Sequence, residues 1–212
     1  RDWSSDVCSS DLFLLLFFTN YTIIFLTYYR TYVLFFIFIP NIHSIKEGDI
    51  MNKLSKLFDL VESENIDFFF ANLKLVNKLG LYSCKDGYSV IAIDYTLKYN
   101  KIALTEVLAE ELGHHFTTVG DFSNINTYQD MLKHSKIENT ALKWATEFLI
   151  SEEEICNLVM ENIEAEEMAE RCEVSLEFFL KRLDFLSKKK DFLELCNGSK
   201  LILTNLPVFY VC

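Results

Sequence analysis

Residues 101–118 of the chain read KIALTEVLAEELGHHFTT, and this stretch places charged residues inside an apolar helical pattern. The apolar residues that recur at helical spacing are Ile102, Leu104, Val107, Leu108, Leu112 and Phe116. Their spacing predicts a helix with one face packed against a core. Glu110 and His114 are four residues apart, so on a helix their side chains leave the same face one turn apart. Glu111 lies next to Glu110 and close enough to serve the same centre.

This spacing is that of the H-E-x-x-H motif, with a glutamate in the position of the first ligand. Two ligands at i and i+4 and an adjacent carboxylate base form the helical half of a metal hydrolase site. The alternative interpretation is a solvated acidic helix face that ends in histidines, since short motifs also match by chance. Gly113 favours the metal site, because glycine costs about 1 kcal/mol within a helix and its bare backbone lets a second backbone or a substrate approach.

The composition indicates an acidic globular protein. The 212 residues allow one ordinary domain, with or without a small appendage, and half of them are hydrophobic. The net charge of −11 argues against a nucleic-acid-binding surface and is easier to reconcile with a basic or neutral protein partner. The six cysteines include no C-x-x-C pair, which indicates reduced thiols in the cytoplasm rather than a disulfide framework or a zinc ribbon.

The first fifty residues differ from the rest of the chain. Residues 1–12, RDWSSDVCSSDL, resemble the conceptual translation of a sequencing adapter. Residues 13–39 are almost wholly apolar and long enough to span a bilayer, so a single-pass membrane anchor is one interpretation. The other is translated upstream DNA, since residues 46–50 can be encoded by a purine-rich ribosome-binding sequence. We expect Met51 to be the true start and residues 1–50 to be non-native.

From Met51 onward the sequence predicts two segments, residues 51–150 and an acidic helical segment over residues 151–212. The elements predicted in the first are helices over residues 52–63, 71–79 and 137–150, a hairpin of strands over 81–84 and 88–94, and a loop over 119–134. In the second, helices over 165–172 and 176–185 flank a short turn, which is typical of a helix-turn-helix, and residues 199–212 are expected to be extended. A DNA-binding regulator is therefore an alternative, although the acidity of this segment argues against it.

The chain from about residue 66 to residue 190 resembles the ImmA/IrrE metallo-endopeptidases of bacteria, phages and mobile elements. Three segments carry the resemblance: VLAEELGHHFTTVGD at residues 107–121, ENTALKWATEFLISEEE at 138–154, and AEEMAERCEVSLEFFLKRL at 165–183. The first matches the active helix of the family and the second matches its Glu-x-x-Ala-x-x-x-Ala helix. The third resembles the helical segment that closes the domain.

The resemblance implies an α+β, predominantly helical fold: a minimal zincin-like domain with a small sheet and a C-terminal helical segment. It also implies a zinc-dependent endopeptidase in which His114 and Glu138 are metal ligands and Glu111 is the general base. The expected substrate is a partner transcriptional repressor in the cytoplasm. Glu110 stands where the family has histidine, which makes the site harder and more anionic, although carboxylate oxygen is an accepted zinc ligand. Another divalent metal is the alternative.

Several roles stay open at this point. His115 and His134 are candidates to stabilise the oxyanion or to substitute as ligands; their simpler interpretations are a polar helix residue and a loop residue. Glu138 stands at the predicted start of a helix, where a carboxylate can also act through the helix dipole. The alternative to an enzyme is a repressor-binding protein that keeps the fold and docks without cleaving.

Overall fold

The computed structural model describes residues 53–118, 128–204 and 210–211 of the chain. The expectations for residues 1–50, including the anchor interpretation of residues 13–39, lie outside the described residues. None of the helices in the described ranges combines the length and the apolar character that crossing a membrane requires.

A three-stranded sheet has β3 (Tyr88–Asp94) at its centre. β1 (Asp67–Ala71) pairs with β3 in parallel, and β2 (Gly80–Lys85) pairs with it in the antiparallel direction. β2 and β3 are joined by the turn Asp86 and Gly87, both at positive φ. The predicted hairpin is therefore confirmed, whereas β1 did not emerge from the sequence pattern.

The segment between β1 and β2 is not the helix predicted over residues 71–79. Only Lys74–Val76 form a short 3₁₀ turn. Its apolar residues serve a different purpose, because Leu73 is fully buried and its N–H donates to the carboxylate of Asp94 at 2.8 Å. The partner lies on β3, so spacing within the segment could not reveal this bond.

Two helices pack together beside this sheet, α1 (Lys53–Ser63) and α2 (Lys101–Thr117). α2 also packs on β2 and β3. It begins after Asn100, whose side chain accepts a hydrogen bond from the N–H of Ala103, as an N-cap does. The predicted apolar face of α2 is confirmed in its centre, where Leu104, Leu108 and Leu112 are buried and Val107 is partly buried. Ile102 and Phe116, near the two ends of the helix, are exposed.

The next helix, α3 (Tyr128–Leu149), begins earlier than the predicted helix over residues 137–150. The sequence predicts a loop over residues 119–134, whereas residues 128–134 are helical and the remainder of that loop lies outside the described residues. Residues 131–133 are exposed, so this part of the helix carries no apolar period to reveal it. Glu138 therefore lies well inside α3 and cannot cap its start.

α2 and α3 make their closest approach at Gly113. A Cβ at Gly113 would lie 2.3 Å from the carbonyl oxygen of Ala141, so a side chain there would force the helices apart. Ala141 and Ala145 are fully buried along the facing side of α3. The expected approach of a second backbone to Gly113 is thus confirmed.

The remaining elements are α4 (Glu152–Met160), α5 (Ala165–Arg171), α6 (Leu176–Ser187), β4 (Phe192–Glu194), β5 (Lys200–Ile202) and β6 (Tyr210–Val211). The three strands form a second, antiparallel sheet in the order β4-β5-β6. The predicted pair of helices over residues 165–172 and 176–185 is present, and the extended segment over residues 199–212 contains β5 and β6. β4 was not predicted.

α6 lacks the exposure of a helix that reads DNA. Its buried residues are Phe178, Phe179, Arg182, Leu183, Phe185 and Leu186. Arg182 is only 4% exposed, and its Nε donates to the carbonyl oxygen of Ile150, just after α3, at 3.0 Å. α6 is therefore a support for α3, and its burial does not favour the DNA-binding alternative.

One apolar core extends through both predicted segments, from Leu54 on α1 to Leu203 after β5. The fold is α+β and predominantly helical, as expected from the sequence. The division at residue 150 into two segments stays a prediction.

Candidate active site

Two helices bring the predicted site residues together. Glu110, Glu111 and His114 lie on α2, and His134 and Glu138 lie on α3. Because α3 touches α2 at Gly113, the turn of α3 that precedes Ala141 lies beside the polar residues of α2. The packing of the two helices therefore positions the site.

Glu110, His114 and Glu138 form a compact cluster. Each of them offers one ligand atom, and these three atoms all lie within 4.8 Å of one another. Nε2 of His114 is 3.6 Å from Oε2 of Glu138. All three side chains are partly buried, so the cluster is only partly open to solvent. Within the described ranges, this is the group of three or more such side chains that could hold a metal ion.

The charged side chains of this cluster shift one another's pKa values. Burial raises the pKa of Glu110, and the nearby charge of Glu138 raises it further. The pairing with His114 lowers the pKa of Glu138 despite its burial. Burial alone would lower the pKa of His114, but its pairing with Glu138 and the charges of the carboxylates raise it. Two carboxylates held this close favour a bound cation, whether a proton or a metal.

Glu111 lies beside the cluster in a more buried position, at 8% exposure. A Cβ at Gly80, on β2, would lie 2.4 Å from Oε1 of Glu111, so the carboxylate occupies the space that this glycine leaves. Burial raises the pKa of Glu111 to about 7; the charge of His114 lowers this pKa by a smaller amount, and the charge of Glu110 raises it. A carboxyl group with a pKa near neutral pH has the acidity that general acid–base catalysis requires.

His134 lies on the far side of Glu138 from His114. Its Nε2 is 3.3 Å from Oε1 of Glu138, one turn further along α3. The two oxygens of Glu138 are thus shared between two imidazoles, one on each helix. His134 is a helix residue that contacts a ligand candidate, not the loop residue of the simpler interpretation.

His115 is directed away from the cluster. Its Nδ1 is 3.1 Å from the hydroxyl of Tyr82 on β2, and its Nε2 is 3.5 Å from Oε2 of Glu64, just after α1. The rings of His115 and Tyr82 also make an edge contact, with centroids 5.5 Å apart. His115, on α2, therefore contacts β2 and the end of α1. These contacts agree with the simpler interpretation of a polar helix residue.

A comparison with protein families decides the relationship of the chain. The family model Peptidase_M78, described as the IrrE N-terminal-like domain, matches residues 61–184. The chain belongs to this family. The matched region extends from the end of α1 into α6 and includes every residue of the cluster. Searches of curated proteins and of solved structures gave no significant match.

Membership of Peptidase_M78 identifies a metallopeptidase-like domain and, in general terms, a peptidase hydrolase. It confirms the resemblance that the three sequence segments indicated. The family relationship and the Glu/His cluster agree on metal dependence, since the cluster has the composition of a site for a divalent cation.

Two features of this Peptidase_M78 domain were missed in the sequence. Gly80 makes room for Glu111, and Lys78 lies close enough for its charge to lower the pKa of Glu110, Glu111 and Glu138. Lys78 belongs to the segment predicted as a helix over residues 71–79, and Gly80 directly follows that segment. The signal in the sequence was Gly80 itself. A glycine at the start of a strand pattern often marks a place where another part of the molecule approaches the backbone closely.

Proposed function

We propose that this chain is a zinc-dependent endopeptidase that cleaves a partner helix-turn-helix repressor in the cytoplasm. Glu110, His114 and Glu138 hold the metal, and Glu111 is the general base. The observation that carries the proposal is the convergence of three ligand atoms from two helices beside a buried carboxyl group with a pKa of about 7.

The donor set fits a divalent cation. One imidazole nitrogen and two carboxylate oxygens are accepted zinc ligands, and three protein ligands leave a position for a reacting molecule. The like charges of Glu110 and Glu138 face one another, which raises the pKa of Glu110 and which a dication would relieve. The additional carboxylate makes the site harder than one with two histidines, so manganese is the main competitor to zinc.

A divalent metal bound in this cluster would supply Lewis-acid chemistry, lowering the pKa of a water and polarising a peptide carbonyl. Glu111 accepts a proton from the attacking water while the oxygen of that water forms a bond to the carbonyl carbon. Glu111 then gives that proton to the leaving nitrogen as the carbon–nitrogen bond breaks. Burial raises the pKa of this carboxyl group in the metal-free protein, and a dication bound in the cluster would favour the ionised form that accepts the proton. His134 keeps Glu138 oriented through its second oxygen.

Charge, as well as resemblance, favours a repressor as the partner. The chain has a net charge of −11, and a DNA-binding protein presents basic residues to its partner. Such a surface would be attracted to this chain, whereas DNA itself would be repelled.

The test incubates the zinc-loaded full chain with helix-turn-helix repressors, beginning with any that is encoded in a neighbouring gene. Gel electrophoresis and mass spectrometry then detect the fragments. Glu111→Gln preserves the shape of the side chain but cannot accept the proton. We expect the variant to keep its zinc and to lose cleavage by about a hundredfold to ten-thousandfold.

Glu166→Gln, at an exposed position on α5, is the matched control and should cleave at the wild-type rate. Undiminished cleavage by Glu111→Gln would refute its role as the base. If the wild-type chain and Glu111→Gln both bind the repressor and neither cleaves it, the chain is a docking protein.

A further inference from the structure

The first turns of α3 bring a histidine to one oxygen of Glu138. His134 and Glu138 are four residues apart on α3, so their side chains leave the same face one turn apart. Nε2 of His134 is 3.3 Å from Oε1 of Glu138. Residues 131–133 are exposed, so this part of α3 gains little from packing against the core. What it provides is the position of His134.

His134 is a neighbour of the metal-binding cluster and not a member of it. The three ligand atoms that lie within 4.8 Å of one another belong to Glu110, His114 and Glu138. His134 contacts Oε1 of Glu138, whereas Nε2 of His114 lies 3.6 Å from Oε2. The two contacts divide the carboxylate, with one oxygen for each imidazole. His134 therefore acts on the cluster through Glu138.

The separation of His114 from Glu138 is that of two ligands of one ion. Zinc binds imidazole nitrogen and carboxylate oxygen at about 2.0–2.2 Å in a tetrahedral arrangement. Two such ligand atoms lie roughly 3.4 Å apart, close to the 3.6 Å between Nε2 of His114 and Oε2 of Glu138. Oε2 is therefore the oxygen that Glu138 offers to a cation, and Oε1 is the oxygen beside His134.

The number of oxygens that Glu138 offers bears on which cation the site prefers. A carboxylate binds a metal through one oxygen or through both. With both oxygens of Glu110 and of Glu138, the site would be rich in oxygen ligands, which suits the octahedral coordination of manganese. Zinc in protein sites is held by four ligands, one of them a water in catalytic sites. A contact that occupies Oε1 of Glu138 keeps the ligand set small.

We infer that His134 is a positioning residue that sets the metal preference of the site: its Nε2–H donates to Oε1 of Glu138, so that this carboxylate binds the cation through Oε2 alone. The bond requires no change of charge, because Nε2 carries a proton in the imidazolium and in one of the two neutral tautomers. The inference rests on the proposed metal site. It adds the residue that favours zinc over manganese in a site with two carboxylates.

The experiment measures metal binding instead of activity. The affinities of the metal-free full chain for Zn²⁺ and Mn²⁺ are determined at pH 7, zinc by competition with a chromophoric chelator and manganese by the electron paramagnetic resonance of the free ion. His134→Ala should weaken zinc binding by about tenfold to a hundredfold and change manganese binding less than about threefold. His134→Gln, whose amide Nε2 donates from a similar position, should restore most of the preference for zinc.

Bound Co²⁺ gives a second readout, because its visible absorption is strong when few ligands surround it and weak in octahedral coordination. His134→Ala should lower the absorption per bound Co²⁺, and His134→Gln should restore it.

Lys136→Ala is the matched control. Lys136 is an exposed residue of α3 two positions after His134, which on a helix is nearly the opposite face. This variant should bind both metals like the wild type and give the wild-type Co²⁺ spectrum.

Equal weakening of zinc and manganese in His134→Ala would overturn the inference, because His134 would then support the site as a whole. Unchanged zinc affinity in this variant would also overturn it, and in both cases the proposed function stays intact. If His134→Ala binds neither metal, His134→Gln decides, since the inference requires that variant to keep the preference for zinc. A wild-type chain that binds neither metal would overturn the proposed function, and the inference with it.

Discussion

Gly113 sets the separation of the two helices that carry the site, and this gives the first prediction at the scale of single residues. In Gly113→Ala the new Cβ would lie 2.3 Å from the carbonyl oxygen of Ala141, so α3 must move away. Glu138 would move with it. We expect zinc affinity, measured by competition with a chromophoric chelator, to fall by at least about tenfold. Overpacking costs about 1–3 kcal/mol, and the better helix propensity of alanine offsets about 1 kcal/mol of that.

Gly87→Ala is the control for this substitution. Gly87 has a φ of 82° in the turn between β2 and β3, and a Cβ there would meet no atom within 4 Å. The variant should lose about 1–2 kcal/mol of stability from the strained backbone and keep its affinity for zinc. An unchanged zinc affinity in Gly113→Ala would show that the helix separation does not control the cluster.

Individual site residues differed in how far the sequence could reveal them. Glu110 and His114 were predictable because an i, i+4 spacing fixes their relative position on one helix. Glu138 could be paired with them only through family resemblance, because its contact with His114 depends on how two helices pack. The contact of Gly80 with Glu111 escaped notice, since it depends on how β2, paired with β3, packs against α2.

At the scale of elements, the segment between β1 and β2 is attached to β3 through Asp94, and this attachment can be tested by pH. Hydrogen bonds from the hydroxyl and then the N–H of Thr96, together with that from Leu73, hold the pKa of Asp94 below its usual value. A carboxyl group with a lowered pKa in the folded state stabilises the fold above its unfolded pKa. That contribution is lost as the pH falls through the folded pKa.

Asp94→Asn should therefore lower the free energy of unfolding by about 1–3 kcal/mol at pH 7, because an amide cannot accept all three hydrogen bonds. The difference from the wild type should shrink as the pH falls below about 4. Urea denaturation at a series of pH values measures it. Asp86→Asn, at an exposed turn position with a φ of 53°, is the control and should change stability little. A difference that grows in acid would contradict the assignment.

The elements with a regular apolar period were predictable and the others were not. α2 is buried along one side and β3 is buried from Ile91 to Asp94, so their patterns appear in the sequence. Residues 131–133 in the first turns of α3 are exposed and show no apolar period, so the sequence pattern did not reveal these turns. β1 and β4 are short, and their strand conformation depends on pairing with other strands of their sheets, which the local sequence does not show. The buried Arg182, which anchors α6 to the end of α3, appears in the sequence as an ordinary cation.

At the scale of the whole molecule, acidic residues on the surface and in the site differ in whether a lysine is paired with them. The acidic first turn of α4 is paired with lysines from both ends of the described fold, since Lys53 of α1 binds Glu154 and Lys190 binds Glu152. Exposed pairs such as the second contribute at most about 1 kcal/mol each. Glu110 and Glu111 have no lysine paired with them in this way, and burial raises the pKa of both, so their ionised forms destabilise the metal-free protein.

Zinc should therefore stabilise the entire fold, which gives the last prediction. Zinc at a hundredfold excess over its dissociation constant stabilises by about 2.7 kcal/mol, which for a chain of this size raises the Tm by about 5–10 °C. Differential scanning fluorimetry of the full chain with and without zinc measures this shift. His114→Ala removes a ligand and should abolish it. His115→Ala, the adjacent histidine that contacts Tyr82 and Glu64, should lower the starting Tm but retain the shift. If both variants respond to zinc equally, the metal binds outside the cluster, because only the first substitution changes the three side chains that converge there.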